Sequence, residues 1–108
     1  MPPKKKAERV SVFVRLSPAA NQAIDEHAAQ MGNVPRSVVV ERAIERFVKE
    51  TLPHNSGFMK RTARGETVLK KFKIERPLYE ALTQAHKARG YTYQEMIRHA
   101  VGDLTGVY

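Results

Sequence analysis

Two short segments carry cationic, hydroxyl or apolar side chains at every second position. Alternate residues of a β-strand project from one face. The residues that share the two outer faces are Ser11, Phe13, Arg15, Leu69, Lys71 and Lys73. Arg and Lys donate to guanine O6 and N7, Ser bonds several bases, and an apolar side chain contacts the thymine methyl. The spacing places these side chains on one face of each strand, and reading of base edges is one chemistry open to such a face.

Two alternatives to base reading follow from the same residues. Charged side chains on a solvent-facing strand prevent edge-to-edge aggregation, which is a sufficient reason for Lys71 and Lys73. The exposed position of Phe13 is also suited to cover by the N-terminal arm or by the linker between the two halves. Lys70 is expected on the core side, with its ammonium group extended to water.

The elements that position these residues occur in the order strand, helix, turn, helix. Val10, Val12, Val14 and Leu16 form the apolar face of the first strand. Pro18 is suited to the start of a helix and Gly32 to its end. A second helix is predicted from about Pro35 to Glu50, and its apolar stripe consists of Val40, Ala43, Ile44, Phe47 and Val48.

The same order returns 58 residues later, as the pairs Val14 with Phe72 and Gly32 with Gly90 illustrate. After the glycine the offset becomes 57, which is the single-residue change in a turn expected of a diverged duplication. In the second copy, Thr92 is predicted as the N-cap and Glu95 as its capping-box partner. In the first copy, Asn33 is the expected cap, with Pro35 in the first turn.

The pattern divides the chain into a flexible basic arm (1–9), a first repeat (10–50), a linker (51–66) and a second repeat (67–108). One strand and two helices bury too little apolar surface to fold alone. The two strands are therefore expected to pair antiparallel under one shared core. The predicted fold is α+β and mostly α, with two tandem βαα repeats, a two-stranded antiparallel ribbon and four helices in a pseudo-dimer.

The net charge of +8, from 19 Lys and Arg against 11 Asp and Glu, favours an acidic partner. The absence of cysteine excludes disulfides and a cysteine nucleophile. Short apolar runs and the lack of an apolar segment after "MPPKKKAER" predict no membrane partner and a cytoplasmic protein. Basic residues of the arm and linker are candidate DNA-backbone contacts or simply solvated: Lys4, Lys5, Lys6, Lys60, Arg61 and Arg64.

Catalytic and metal-binding chemistry is not indicated. His27, His54, His86 and His99 are scattered outside any ligand spacing and are interpreted as surface residues. Glu41 and Glu45 lie one helical turn apart among basic residues, which predicts a solvated charged face. We therefore expect no enzyme, no cofactor and no metal.

The chain resembles the ribbon-helix-helix family of DNA-binding proteins, which includes Arc and MetJ. The resemblance lies in "VFVRLSP" and "GNVPRSVVVERAI" of the first copy and in "KFKIERP" and "GYTYQEMIRHAV" of the second. Its departures are Pro35, where the family usually has a Ser or Thr cap, and Phe13 and Leu69, where it usually has polar base-reading residues. The tandem form is similar to TraY-like relaxosome accessory proteins of conjugative plasmids.

The resemblance implies a ribbon in the major groove, while free N–H groups at helix N-termini suit DNA phosphates. Candidate phosphate contacts are Arg36, Ser37, Thr92, Tyr93 and Gln94. A repressor or autoregulator and a transfer-origin accessory factor remain open, the latter with a relaxase or other relaxosome protein as partner. Further copies on adjacent sites are possible partners. The alternatives are an antitoxin or adaptor, and a non-specific nucleic-acid packaging protein. The expected setting is a prokaryotic nucleoid or plasmid.

Overall fold

The computed structural model describes residues 9–53 and 66–107 and has a mostly helical α+β fold. Its elements are β1 (Arg9–Leu16), α1 (Pro18–Gln30), α2 (Arg36–Arg46), a π-helical segment (Phe47–Thr51), β2 (Val68–Glu75), α3 (Arg76–Arg89) and α4 (Tyr93–Thr105). No helix in these ranges is long and apolar enough to cross a membrane. The predicted order of strand and helices is confirmed. One boundary was wrong, because Arg9 belongs to β1 and not to the arm.

The two strands pair antiparallel, as predicted, and their register has an internal symmetry. Phe13 faces Lys71 at the centre of the ribbon. These residues are 58 positions apart, the offset that relates the two copies in the sequence. The flanking pairs are Val12 with Phe72 and Val14 with Lys70. The offset relates Val12 to Lys70 and Val14 to Phe72, so it converts each of these pairs into the other. The register is therefore the one expected if a two-fold axis passed through the Phe13–Lys71 pair.

The core is shared by the two halves of the chain. Inward-facing residues of both strands are buried: Val12, Val14, Leu16, Phe72 and Ile74. β1 lies against β2 and α4, while β2 lies against β1, α2 and α3. The strand of each half thus packs on a helix of the other half. The helices thus pack against the inner face of the ribbon and leave its outer face exposed.

One of the two predicted N-caps of the second helices is present in the structure. The capping box of α4 is confirmed, since the Thr92 hydroxyl accepts from the Glu95 N–H at 3.1 Å. The predicted Asn33 cap was wrong. Asn33 has φ 59° and extends the left-handed turn begun by Gly32, a conformation that Asn tolerates better than most residues. Pro35 instead occupies the N-cap of α2, without a side-chain cap bond.

Candidate nucleic-acid interface

The six predicted base-reading residues are brought together on one exposed face of the ribbon. Three cross-strand pairs, here called rungs, make up this face: Ser11 with Lys73, Phe13 with Lys71, and Arg15 with Leu69. Each rung carries one cation and one neutral side chain. Within residues 9–53 and 66–107, no carboxylate forms an ion pair with Lys71 or Lys73. Their charges are therefore available to an anionic ligand.

The exposed edge of β1 is held by two side chains of α4. The Arg15 N–H donates to the Gln94 side-chain oxygen at 3.3 Å, and the Arg98 Nε donates to the Arg15 carbonyl at 2.7 Å. Burial lowers the pKa of the Arg98 guanidinium. The two bonds fix the backbone from which the Arg15 side chain projects onto the outer face. Arg98 was missed at the sequence level, although it lies one helical turn after Gln94 on the same helix face.

The edge of β2 is held differently. Arg9 Nη1 donates to the Lys73 carbonyl at 3.4 Å, and the same guanidinium forms an ion pair with Glu41. The Glu41 side chain is only 14% exposed, so its assignment to a solvated helix face was wrong; Glu45 is exposed as predicted. Burial raises the pKa of Glu41, with a smaller contribution from the negative charge of Glu75, while Arg9 opposes the shift.

Arg36, predicted as a phosphate contact, forms several interactions with other residues of the protein. Its guanidinium forms an ion pair with Asp25 (Nε to Oδ1, 3.0 Å), donates to the Asn21 side chain, and lies 5.9 Å from the Phe72 ring centroid. It therefore joins α1, the start of α2 and β2. A shallow cleft beside this junction is lined by Arg36, Ser37, Lys70, Lys71, Phe72 and Lys73. The start of α2 thus lies next to the ribbon lysines, and Lys70 adds a cation that was not predicted for the site.

The start of α4 is already satisfied in part by its own side chains. The Thr92 N–H donates to Glu95 Oε2 at 3.4 Å, which completes the capping box and places a carboxylate at the helix N-terminus. The Tyr93 hydroxyl is bonded to Thr83 Oγ1 at 2.8 Å, and its ring stacks on Tyr79 at 5.6 Å. The side chain of Tyr93 therefore packs against α3. Its backbone N–H remains a predicted phosphate contact.

The remaining sequence predictions have mixed outcomes. Lys4, Lys5, Lys6, His54, Lys60, Arg61 and Arg64 lie outside the described residues. His86 is exposed as predicted, and its Nδ1 is 2.7 Å from the Tyr91 carbonyl oxygen. His99 was wrongly assigned to the surface, because it is half-buried and packs edge-on against Phe47 at 5.7 Å between ring centroids.

An exposed two-stranded antiparallel ribbon over pairs of helices defines the ribbon-helix-helix class of proteins. Residues 10–51 match the family model described as ribbon-helix-helix protein, copG family. The match confirms the predicted ribbon-helix-helix resemblance for residues 10–51. Proteins of this family are in general DNA-binding transcription regulators. Comparison with curated proteins and with solved structures gave no match.

Proposed function

We propose that the protein binds a specific double-stranded DNA sequence by inserting its ribbon into the major groove. The observation that carries this proposal is the outer face, on which each of the three rungs presents one cation. A two-stranded ribbon fits the major groove, where lysine and arginine donate to guanine. The family match of residues 10–51 supports DNA as the ligand.

The second half of the chain is proposed to be the other member of a pseudo-dimer. β2, α3 and α4 repeat the order of the first half, and the ribbon register has the symmetry that such a pair requires. The groove-facing residues of the two halves differ, so one chain is expected to recognise a short non-palindromic site. Recovery of strictly palindromic sites would contradict this expectation.

Phosphate contacts are proposed to set the position of the ribbon along the groove. The candidates are Ser37, which lines the cleft beside the ribbon lysines, and the backbone N–H groups of Tyr93 and Gln94 at the start of α4. Arg36 lines the same cleft, but its guanidinium is already paired with Asp25. Because Pro35 has no N–H, the first half is expected to depend more on side chains than the second.

The biological role that we propose is transcriptional repression or autoregulation, with transfer-origin binding as the more specialised form. The proposed location is the cytoplasm of a prokaryote. Acting without catalysis, the protein would compete with other factors for its site or organise further copies on adjacent sites. A relaxase partner would belong only to the transfer-origin form.

Selection from a random duplex pool at about physiological salt tests the proposal. The wild-type protein is expected to enrich one motif, and the Lys71→Ala/Lys73→Ala variant to bind it at least about tenfold more weakly. Lys49→Ala is the matched control, because it removes a cation that pairs with Glu45 at 2.7 Å beyond the far end of α2. Equal enrichment by wild type and double variant would move base recognition to another surface. Strongly salt-dependent binding without any motif would indicate charge-driven packaging instead.

A further inference from the structure

Phe13 and Leu69 are the exposed large hydrophobic side chains of the described residues, with exposures of 59% and 53%. Both lie on the outer face of the ribbon, on opposite strands and on adjacent rungs. Diagonal neighbours of this kind are within reach of each other's side chains when one is aromatic. The two residues therefore form one apolar patch, which we call the Phe13–Leu69 patch.

This patch has no structural role in the described core. The residues that fill the core lie on the opposite face of both strands, at Val12, Val14 and Phe72. Exposed apolar side chains that are grouped together generally mark a contact site. The patch is flanked by Lys71 in the Phe13 rung and by Arg15 in the Leu69 rung. Its ligand should therefore combine negative charge with small apolar groups.

The major groove of DNA has both properties. Its phosphates are anionic, and the C5-methyl group of thymine is the apolar group that the groove presents. Charge complementarity excludes an uncharged aliphatic ligand, because each rung carries a cation. The match of residues 10–51 to the ribbon-helix-helix family favours duplex DNA over an acidic protein or an anionic lipid.

We propose that the Phe13–Leu69 patch recognises C5-methyl groups of thymine, so that the preferred DNA contains thymines under this part of the ribbon. This inference rests on the proposed DNA-binding function and specifies what one part of the face detects. It also gives the complex a direction, because the patch lies towards the Arg15–Leu69 end, whereas Ser11 and Lys73 form a polar rung at the other end.

Replacement of thymine by deoxyuridine tests this proposal, since it removes the methyl group and preserves base pairing. Each thymine of the selected duplex is replaced singly, and the Kd is measured by fluorescence anisotropy at fixed salt. One or two positions are expected to lose about fourfold in affinity each, the effect of one methyl group transferred from water. In the Phe13→Ala/Leu69→Ala variant, the ratio of thymine to deoxyuridine affinity at those positions should fall to about one.

The control is Lys71→Ala, which should weaken binding to every duplex and keep the discrimination between thymine and deoxyuridine. Both patch residues are exposed, so their substitution should leave the circular dichroism spectrum unchanged. If the wild-type protein binds a specific motif but binds every deoxyuridine duplex as tightly as the thymine duplex, the patch proposal is overturned and DNA binding stands. Failure to bind any DNA specifically would overturn both. Loss of a dimer on substitution of Phe13 would show that a second copy occupies the patch, and would also overturn the proposal.

Discussion

Separation of the two halves should unfold both, because each strand depends on helices of the other half. β1 contributes Val12, Val14 and Leu16 to the core with exposures of at most 5%. These side chains lie mainly against β2 and α4, which belong to the second half. Burial of each contributes roughly 1.5–3 kcal/mol, so removing the second half would cost the first about 5–9 kcal/mol. A domain of this size is typically stable by about 5–15 kcal/mol.

The test uses two fragments, residues 1–53 and 66–108, measured alone and as an equimolar mixture. Each fragment alone is expected to give a largely disordered circular dichroism spectrum at low concentration, while the mixture recovers the helical signal and unfolds cooperatively. Self-association of the first fragment at high concentration is compatible with the shared core, because β1 of a second copy would take the place of β2. A monomeric fragment with a cooperative, concentration-independent unfolding transition would refute the dependence of each half on the other.

Two further predictions concern the supports of the ribbon. Thr92→Ala removes the hydroxyl that caps α4 and is expected to lower the free energy of unfolding by about 1 kcal/mol, measured by urea denaturation; an unchanged midpoint would contradict the role of the capping box. Glu41 has a raised pKa in the folded state, so its favourable contribution to folding is fully present below its ordinary pKa of 4.5 and is lost as pH rises through the higher folded value. The measurement is the free energy of unfolding of the wild type minus that of Glu41→Gln. This difference should decrease from acidic to neutral pH, and a difference that increases with pH would contradict the raised pKa of Glu41.

The alternation of side chains was sufficient to predict the strands and their outer face. Val12, Val14 and Leu16 alternate with Ser11 and Arg15, so one orientation buries the apolar set, and Phe13 is the apolar residue left on the outer face. The capping box at Thr92 was equally local, since its two partners lie three residues apart. The Asn33 cap failed because Asn is suited both to an N-cap and to a left-handed turn, and Gly32 beside it determined which conformation formed.

The residues that hold the ribbon edges could not be predicted in the same way. Arg98 and Arg15 are 83 positions apart and lie in different halves, while Arg9 and Glu41 are 32 apart within the first half. Both contacts depend on tertiary packing. Periodicity places Glu41 on a helix but does not show that Arg9 covers its carboxylate. The burial of Glu41 and the engagement of Arg36 with Asp25 arise from tertiary structure that local patterns do not contain.

The two ribbon edges are held in similar geometry by different residues. Under the offset of 57 that relates the second helices, Arg98 corresponds to Glu41, and under the offset of 58 that relates the strands, Arg15 corresponds to Lys73. Arg98 donates directly to the Arg15 carbonyl, whereas a carboxylate at position 41 has no proton to donate to the Lys73 carbonyl. Arg9 supplies that donor and is held by Glu41. The same backbone position is thus stabilised in both halves by different residues.

Joining two unlike halves in one chain also resolves a conflict of charge on the outer face. In a symmetric dimer of the second half, Lys71 would face its own copy at the centre of the ribbon, and like charges directly opposite each other destabilise a strand pair. In this chain Lys71 faces Phe13, Lys73 faces Ser11 and Arg15 faces Leu69. Three cations are thereby presented without any pair of them sharing a rung. The positive charge of the outer face is compatible with a stable ribbon because the two strands differ in sequence.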